Sequence, residues 1–257
     1  MLRLSYWVFP IFAGLVWLGT LLGLLLHWII DTHYVHYSSM EPNQSIAYIS
    51  DVGAQKLKPL FITGCVLTTV FLDISFLSDR WLRHRGRLVP NTTRAEKILS
   101  GLTIFCALIG TIGLILLSIF DTARHPMLHD LFLGFFIIGY LLSAIFICWE
   151  YQRLGVRNPE HRILAISFWI KLAFVLITIG LAIPFAVLTR NGGSGKNIGA
   201  ILEWVIAVVF SFYVFSFYID LYPAVYTKHG GNYRTKSWDR RLGTHKMEEG
   251  TTERYRF

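Results

Sequence analysis

Six apolar runs, uncharged or nearly so, divide the chain at residues 8–30, 60–78, 98–120, 127–149, 163–188 and 198–219. A helix needs roughly 20 apolar residues to cross a hydrocarbon layer about 30 Å thick, so each run predicts one crossing. The runs are continuous rather than alternating, which predicts helices and excludes the strands of a membrane barrel. The expected fold is an all-α bundle of six transmembrane helices. Arg3 before the first run resembles the start of a signal peptide. That run is longer than a signal core and no small-x-small cleavage site follows it, so it reads as a retained helix. The connection at residues 121–126 is so short that runs three and four must form an antiparallel hairpin. Gly192-Gly193-Ser194-Gly195 between runs five and six predicts a flexible link. No internal repeat or second domain is apparent.

Composition agrees with lipid as the solvent, since 54% of the 257 residues are hydrophobic and 16% charged. An average soluble domain carries about 25% charged residues. The three cysteines, Cys65, Cys106 and Cys148, fall inside the runs, which argues against a disulfide framework. Basic residues near span ends mark the cytoplasmic side. One side collects 18 Lys and Arg and the other five, with Lys171 left inside run five. This predicts cytosolic termini and places residues 31–59 in the largest outer or lumenal loop. Residues 1–221 make up the transmembrane domain, and residues 222–257 form a polar, basic segment expected to be a disordered cytosolic tail. The net charge of +8 is explained by an anionic leaflet and not by nucleic acid. Arg83, Arg85, Arg87, Arg240 and Arg241 are the expected contacts to anionic inner-leaflet phospholipids.

Charge inside a span is costly, about 2.5–3.5 kcal/mol for Asp, Lys or Arg at a helix centre on the mildest scales. Asp73, Lys171 and Glu203 are therefore candidate positions. Asp73 and Lys171 lie at similar depth from the same side, roughly 8 and 12 Å by helical rise, and are expected to pair. Such a pair serves either as an interhelical tie or as part of a relay or headgroup site. At the outer ends, Asp51, Asp121, His125 and His129 form a polar rim, with His27, Asp31, His33, His36 and Asp130 nearby. Imidazoles and carboxylates at such spacing could ligate a metal, do acid–base chemistry, contact headgroups, or simply cap helices. Pro126 biases His125 away from helical geometry and loosens the i, i+4 pairing with His129. No catalytic residue, metal or cofactor is assigned.

No His-Glu-x-x-His, phosphate loop, Gly-x-Ser-x-Gly or dinucleotide fingerprint occurs in the chain. Gly19 and Gly23 have the spacing of a close helix contact, within this bundle or between copies. Asn43-Gln-Ser45 and Asn91-Thr-Thr93 are glycosylation signals, of which the expected topology exposes only Asn43 to the glycosylating side. Cys148 is read as a packing cysteine, with palmitoylation as the alternative.

Phe120-Asp-Thr-Ala-Arg-His-Pro-Met-Leu-His-Asp130 with the apolar run after it, together with Tyr48-Ile-Ser-Asp-Val-Gly53, resembles the Frag/DRAM/Sfk family, and within it the fungal suppressor-of-four-kinase branch. The resemblance covers nearly the whole chain as six spans. It implies a plasma-membrane protein that supports phosphatidylinositol 4-kinase function at the cytoplasmic leaflet and influences lipid asymmetry, without established catalysis. Its implied partners are membrane lipids and a peripheral lipid-kinase complex. Other branches of the family imply GPI-anchor lipid remodelling at the lumenal or outer leaflet, or an endoplasmic-reticulum, lysosomal or vacuolar location. Asp51, Asp121, His125 and His129 match the motif, and no catalytic role transfers to them.

Overall fold

The computed structural model describes residues 5–190 and 195–228. Six of its helices are long and apolar enough to cross a membrane, so the chain is an all-α, multi-pass membrane protein. α1 (Val8–Leu26) continues into a single π-helical turn, His27–Asp31. A short α2 (Ile49–Gly53) lies in the loop before α3 (Lys58–His84). α4 (Arg94–Ile119), α5 (Pro126–Arg157), α6 (Arg162–Arg190) and α7 (Gly195–Leu221) follow, and a 3₁₀ helix, Tyr222–Lys228, closes the described chain.

Local chemistry sets these limits. Thr93 caps α4 by accepting from the Glu96 N–H, while the Glu96 carboxylate returns to the Thr92 and Thr93 N–H groups, a reciprocal arrangement that satisfies donors the helix itself leaves free. α3 and α5 begin with proline in the first turn, where a missing N–H costs nothing. α3, α4 and α5 outlast the apolar runs that predicted them, since a helix can continue as polar turns beyond the hydrocarbon.

Successive long helices pack side by side, and α7 returns against α1 to close a ring, with α3 also reaching α7. The closest approach is the α4–α5 hairpin that the short connection predicted. A Cβ on Gly139 would lie 2.5 Å from the Gly110 nitrogen, and one on Gly113 would collide with the Phe136 nitrogen, so only glycine lets these backbones meet. The Gly19 and Gly23 expectation is half met: Gly23 nears Leu60, whereas Gly19 faces open space.

The first residues after α7 depart from the expected tail. Tyr222–Lys228 folds back on the bundle: Ala224 is buried with Leu82, Leu88 and Leu221, its carbonyl accepts from Arg87, and Thr227 donates to the Arg87 carbonyl. Apolar surface from α3 and α7 was available to pair with it. The rest of the predicted tail, Arg240 and Arg241 included, and most of the Gly-rich link lie outside the described residues.

Candidate functional site

The two ends of the bundle carry different polar assemblies. At the loop end, where α1 finishes and α7 starts, residues 32–57 fold over the helices as a lid. Asp51 is buried and accepts from Ser39 Oγ (2.6 Å), Gln44 Nε2 (3.3 Å) and the Tyr48 N–H (3.0 Å), fixing the lid's own turn. The lid is latched to α7: Asn197 accepts from the Ser45 and Ile46 N–H groups, Trp204 donates to the Ala47 carbonyl, and Glu203 Oε2 accepts from the Ile49 N–H at 2.7 Å. Tyr48 adds a contact to Thr189 of α6. Burial raises the Tyr48 phenol above its ordinary value, the Thr189 hydrogen bond offsetting part of this and the Glu203 charge adding to it, because a low-dielectric surrounding disfavours the charged form.

The rest of the predicted rim does not converge. Asp121 is held by Lys58 Nζ (2.5 Å) and the Arg124 N–H (2.8 Å). Burial alone would raise its pKa, but the Lys58 hydrogen bond, the Arg124 N–H and the two charges hold it below the usual carboxylate range, since each of them favours the ionised form. The buried His129 donates from Nδ1 to the Leu117 and Phe120 carbonyls, satisfying acceptors left over at the end of α4. His125, exposed at the start of α5, meets the ring of Phe120 edge-on instead. The two imidazoles thus have separate surroundings, as the proline between them dictates. Among the described residues no three His, Cys, Asp or Glu side chains come together as metal ligands.

Beneath the lid lies a cavity of about 90 Å³, walled by α5, α6 and α7 with α1 and α4 behind. Its lining is aliphatic and aromatic, with Glu203 at the loop end and Tyr213 at the deep end.

The opposite end, which holds both termini of the bundle, contains a buried charge network. Lys171 of α6 is fully buried and pairs with Asp220 of α7, while Ser167 donates to Asp220 and accepts from Lys171 (2.7 Å). The ring of Tyr151 on α5 lies between two cations, Lys171 Nζ at 4.6 Å and Arg83 Cζ at 4.9 Å, and its hydroxyl donates to Asp79. Cations at this distance are drawn to the negative face of an aromatic ring. Arg83 in turn forks onto Asp79 and reaches the Val89 carbonyl. Asn91 donates to Glu150 at 2.7 Å, Glu150 lies 4.0 Å from Arg83, and Arg157 covers the buried Glu96. The network straps α3, α5, α6 and α7 together.

Two expectations are corrected here. Lys171 does not pair with Asp73, which instead accepts from Thr111 Oγ1 (2.9 Å), itself bonded to Tyr140. Equal depth did not make them neighbours, because they lie on helices that do not pack together. Arg83 is not a lipid contact: it is 2% exposed, turned inward by Asp79 one helical turn earlier. Arg87 is half-buried against Ala224, and Arg85 alone of the described three is exposed, stacked on Trp81. Asp79, Glu150 and Asp220 escaped the sequence reading because each lies just beyond the end of an apolar run. The Asp79–Arg83 spacing was the one available signal.

Burial takes more acids than bases at this end. Asp79, Glu96, Glu150 and Asp220 are buried against two buried cations, Arg83 and Lys171, whereas Arg85, Arg94, Lys97, Arg157 and Arg162 are exposed, with Glu160 the exposed acid among them.

Residues 5–224 match the Frag1/DRAM/Sfk1/Cwh43P N-terminal domain. Over 222 residues the chain is 31% identical to protein sfk1 of Schizosaccharomyces pombe, an alignment covering 85% of this chain and 64% of that one. It is 29% identical over 178 residues to protein SFK1 of Saccharomyces cerevisiae, covering 58% of this chain and 50% of that one. The chain thus spans 64% and 50% of the lengths of these two relatives. No solved structure matches.

Proposed function

The chain belongs to the Frag1/DRAM/Sfk1/Cwh43P family, and from that premise we propose that it is a non-enzymatic regulator that supports phosphatidylinositol 4-kinase function at the plasma membrane through the basic end of its bundle. The observation that carries this reading is the sorting of charge at that end. Four carboxylates are buried there against the two buried cations Arg83 and Lys171, so the surface offered to a leaflet or a peripheral protein carries a larger share of positive charge than the sequence balance of that end implies. Each basic group close to an anionic leaflet contributes roughly 1 kcal/mol of attraction. The same surface attracts acidic segments of a peripheral kinase assembly. This requires the end bearing Arg85, Arg94 and Lys97 to be cytosolic, the orientation that the basic-residue excess predicts.

The test replaces Arg85, Arg94 and Lys97 together by glutamine and follows a phosphatidylinositol 4-phosphate reporter at the plasma membrane. The reporter signal is expected to fall while the protein remains membrane-inserted, because six spans anchor it more firmly than surface charge. Arg83 is left intact, since its loss would break the buried network. His125→Ala is expected to leave the reporter unchanged. If His125→Ala abolishes function and the triple variant behaves as the parent, the activity belongs to the opposite leaflet, as GPI-lipid remodelling would require.

A further inference from the structure

We propose that the cavity beneath the lid holds one hydrocarbon chain of a membrane lipid, entered sideways between α5 and α6 from the leaflet at the loop end. This site is at the other end of the bundle from the basic surface and independent of the reading given to that surface.

Four observations lead to this occupant. Apart from Glu203, Thr178 and the tyrosines, every lining residue is aliphatic, phenylalanine or tryptophan. Cavities of this kind stay dry and take apolar guests. The cavity is lined by a single carboxylate and by no Lys, Arg or His, so it offers no site for an ion or a phosphate, and one oxygen of that carboxylate is already engaged by the Ile49 N–H. The route from water is shut, because the lid is tied to α7 through Ser45, Ile46, Ala47 and Ile49 directly over the cavity.

The side wall, in contrast, is open. Leu133, Ile137 and Leu141 of α5 and Phe174 and Thr178 of α6 line the cavity and are each half-exposed. α6 is the least embedded of the six spans, with 11% of its most apolar stretch buried. Pro184 inside α6 also removes the N–H that would bond the Gly180 carbonyl, which weakens the outer half of that helix beside Phe185. The cavity runs along α7 from Glu203 to Tyr213. That stretch of helix is roughly 15 Å long, an elongated shape that suits a chain and not a compact ring. Its deep end at Ala144 and Tyr213 sets how far the methyl terminus can reach.

The experiment reconstitutes the full chain in phosphatidylcholine vesicles doped with phosphatidylcholine bearing a diazirine on one acyl chain, near either the ester or the terminal methyl. Adducts are mapped after irradiation by peptide mass spectrometry. The methyl-end probe is expected to modify Tyr213 and Phe174, and the ester-end probe Phe185. Filling the cavity by Ala144→Phe or, on the half-exposed wall, by Thr178→Trp is expected to abolish the Tyr213 adduct while leaving those on lipid-facing Trp169 and Leu176. The two sites serve because Ala144 is buried and its variant alone could disturb folding. Adducts confined to Trp169, Leu176 and Ile183 in the parent, a reversed depth order, or Tyr213 labelling that survives in a folded Thr178→Trp variant would each overturn the proposal.

Discussion

At the scale of single residues, the fate of a charged side chain depends on which partner its own helix turns it toward. Lys171 and Asp220 form a tie that neither could do without. Removing one partner of a buried pair costs about 3–5 kcal/mol because the other is left uncompensated, whereas replacing both by apolar groups of similar size is often neutral. Lys171→Ala should therefore lower the unfolding midpoint in detergent sharply, and Lys171→Met combined with Asp220→Leu should recover most of the loss. Asp73→Asn, which keeps a hydrogen-bonding group beside Thr111, should cost much less. Equal stability of the Lys171 single variant and the parent would remove the tie from the account of this fold. Asn91 makes the same point for modification signals. Its tripeptide leads into the cap of α4, and its amide is buried against Glu150.

Elements meet here largely through small residues, as is usual where lipid supplies no hydrophobic drive for helices to associate. The α4–α5 hairpin depends on Gly110, Gly113 and Gly139, and the packing leaves no room for a methyl group at the last of these. Gly139→Ala should destabilise by about 1–3 kcal/mol, the range for forcing extra volume into a packed interior. Gly19 points into open space. Gly19→Ala should be neutral or stabilising by about 0.5–1 kcal/mol because alanine is the better helix former. Thermal unfolding of the two purified variants side by side checks the contrast, and a loss at Gly19 as large as that at Gly139 would mean that helix association involves a face left free in the single chain. The lid is a different kind of element. It has one short helix, and its order comes from Asp51, from side chains of α7 and from Met40, Ala47, Ile49 and Val52 buried in a cluster shared with α1, α3 and α4 rather than from a core of its own.

For the whole molecule, orientation decides which assembly faces which leaflet. With the basic end cytosolic, Asn43 is exposed on the lid, at the glycosylating side, while Asn91 is doubly protected by side and by burial. Asn43→Gln is expected to abolish the glycosidase-sensitive shift of the expressed protein, and Asn91→Gln to leave it. A shift lost only with Asn91→Gln would invert the molecule and, with it, the assignment of the basic surface to the cytosolic leaflet. In the expected orientation the two proposed roles divide the bundle by leaflet: charge-sorted contact at one end, an enclosed apolar site at the other.

The sequence by itself determined the spans, the hairpin and the excess of positive charge at one end. Each is local or one-dimensional: run length is measured against a fixed hydrocarbon thickness, a short connection forces antiparallel neighbours, and basic residues are counted at span ends. Depth of a charge could be counted from the helical rise of about 1.5 Å per residue, and it placed Asp73 and Lys171 at comparable levels. Only the tertiary structure decided their partners, because pairing also depends on the rotation of each helix and on the order of helices around the ring, neither of which is written in hydrophobicity. The same reason hid Asp220 at the edge of its run and turned Arg83 from a surface contact into a core group, whereas the separation of His125 from His129 was already signalled by Pro126. The cavity was illegible for a further reason: it is a space enclosed by residues of several helices and the lid together, and no single segment encodes it.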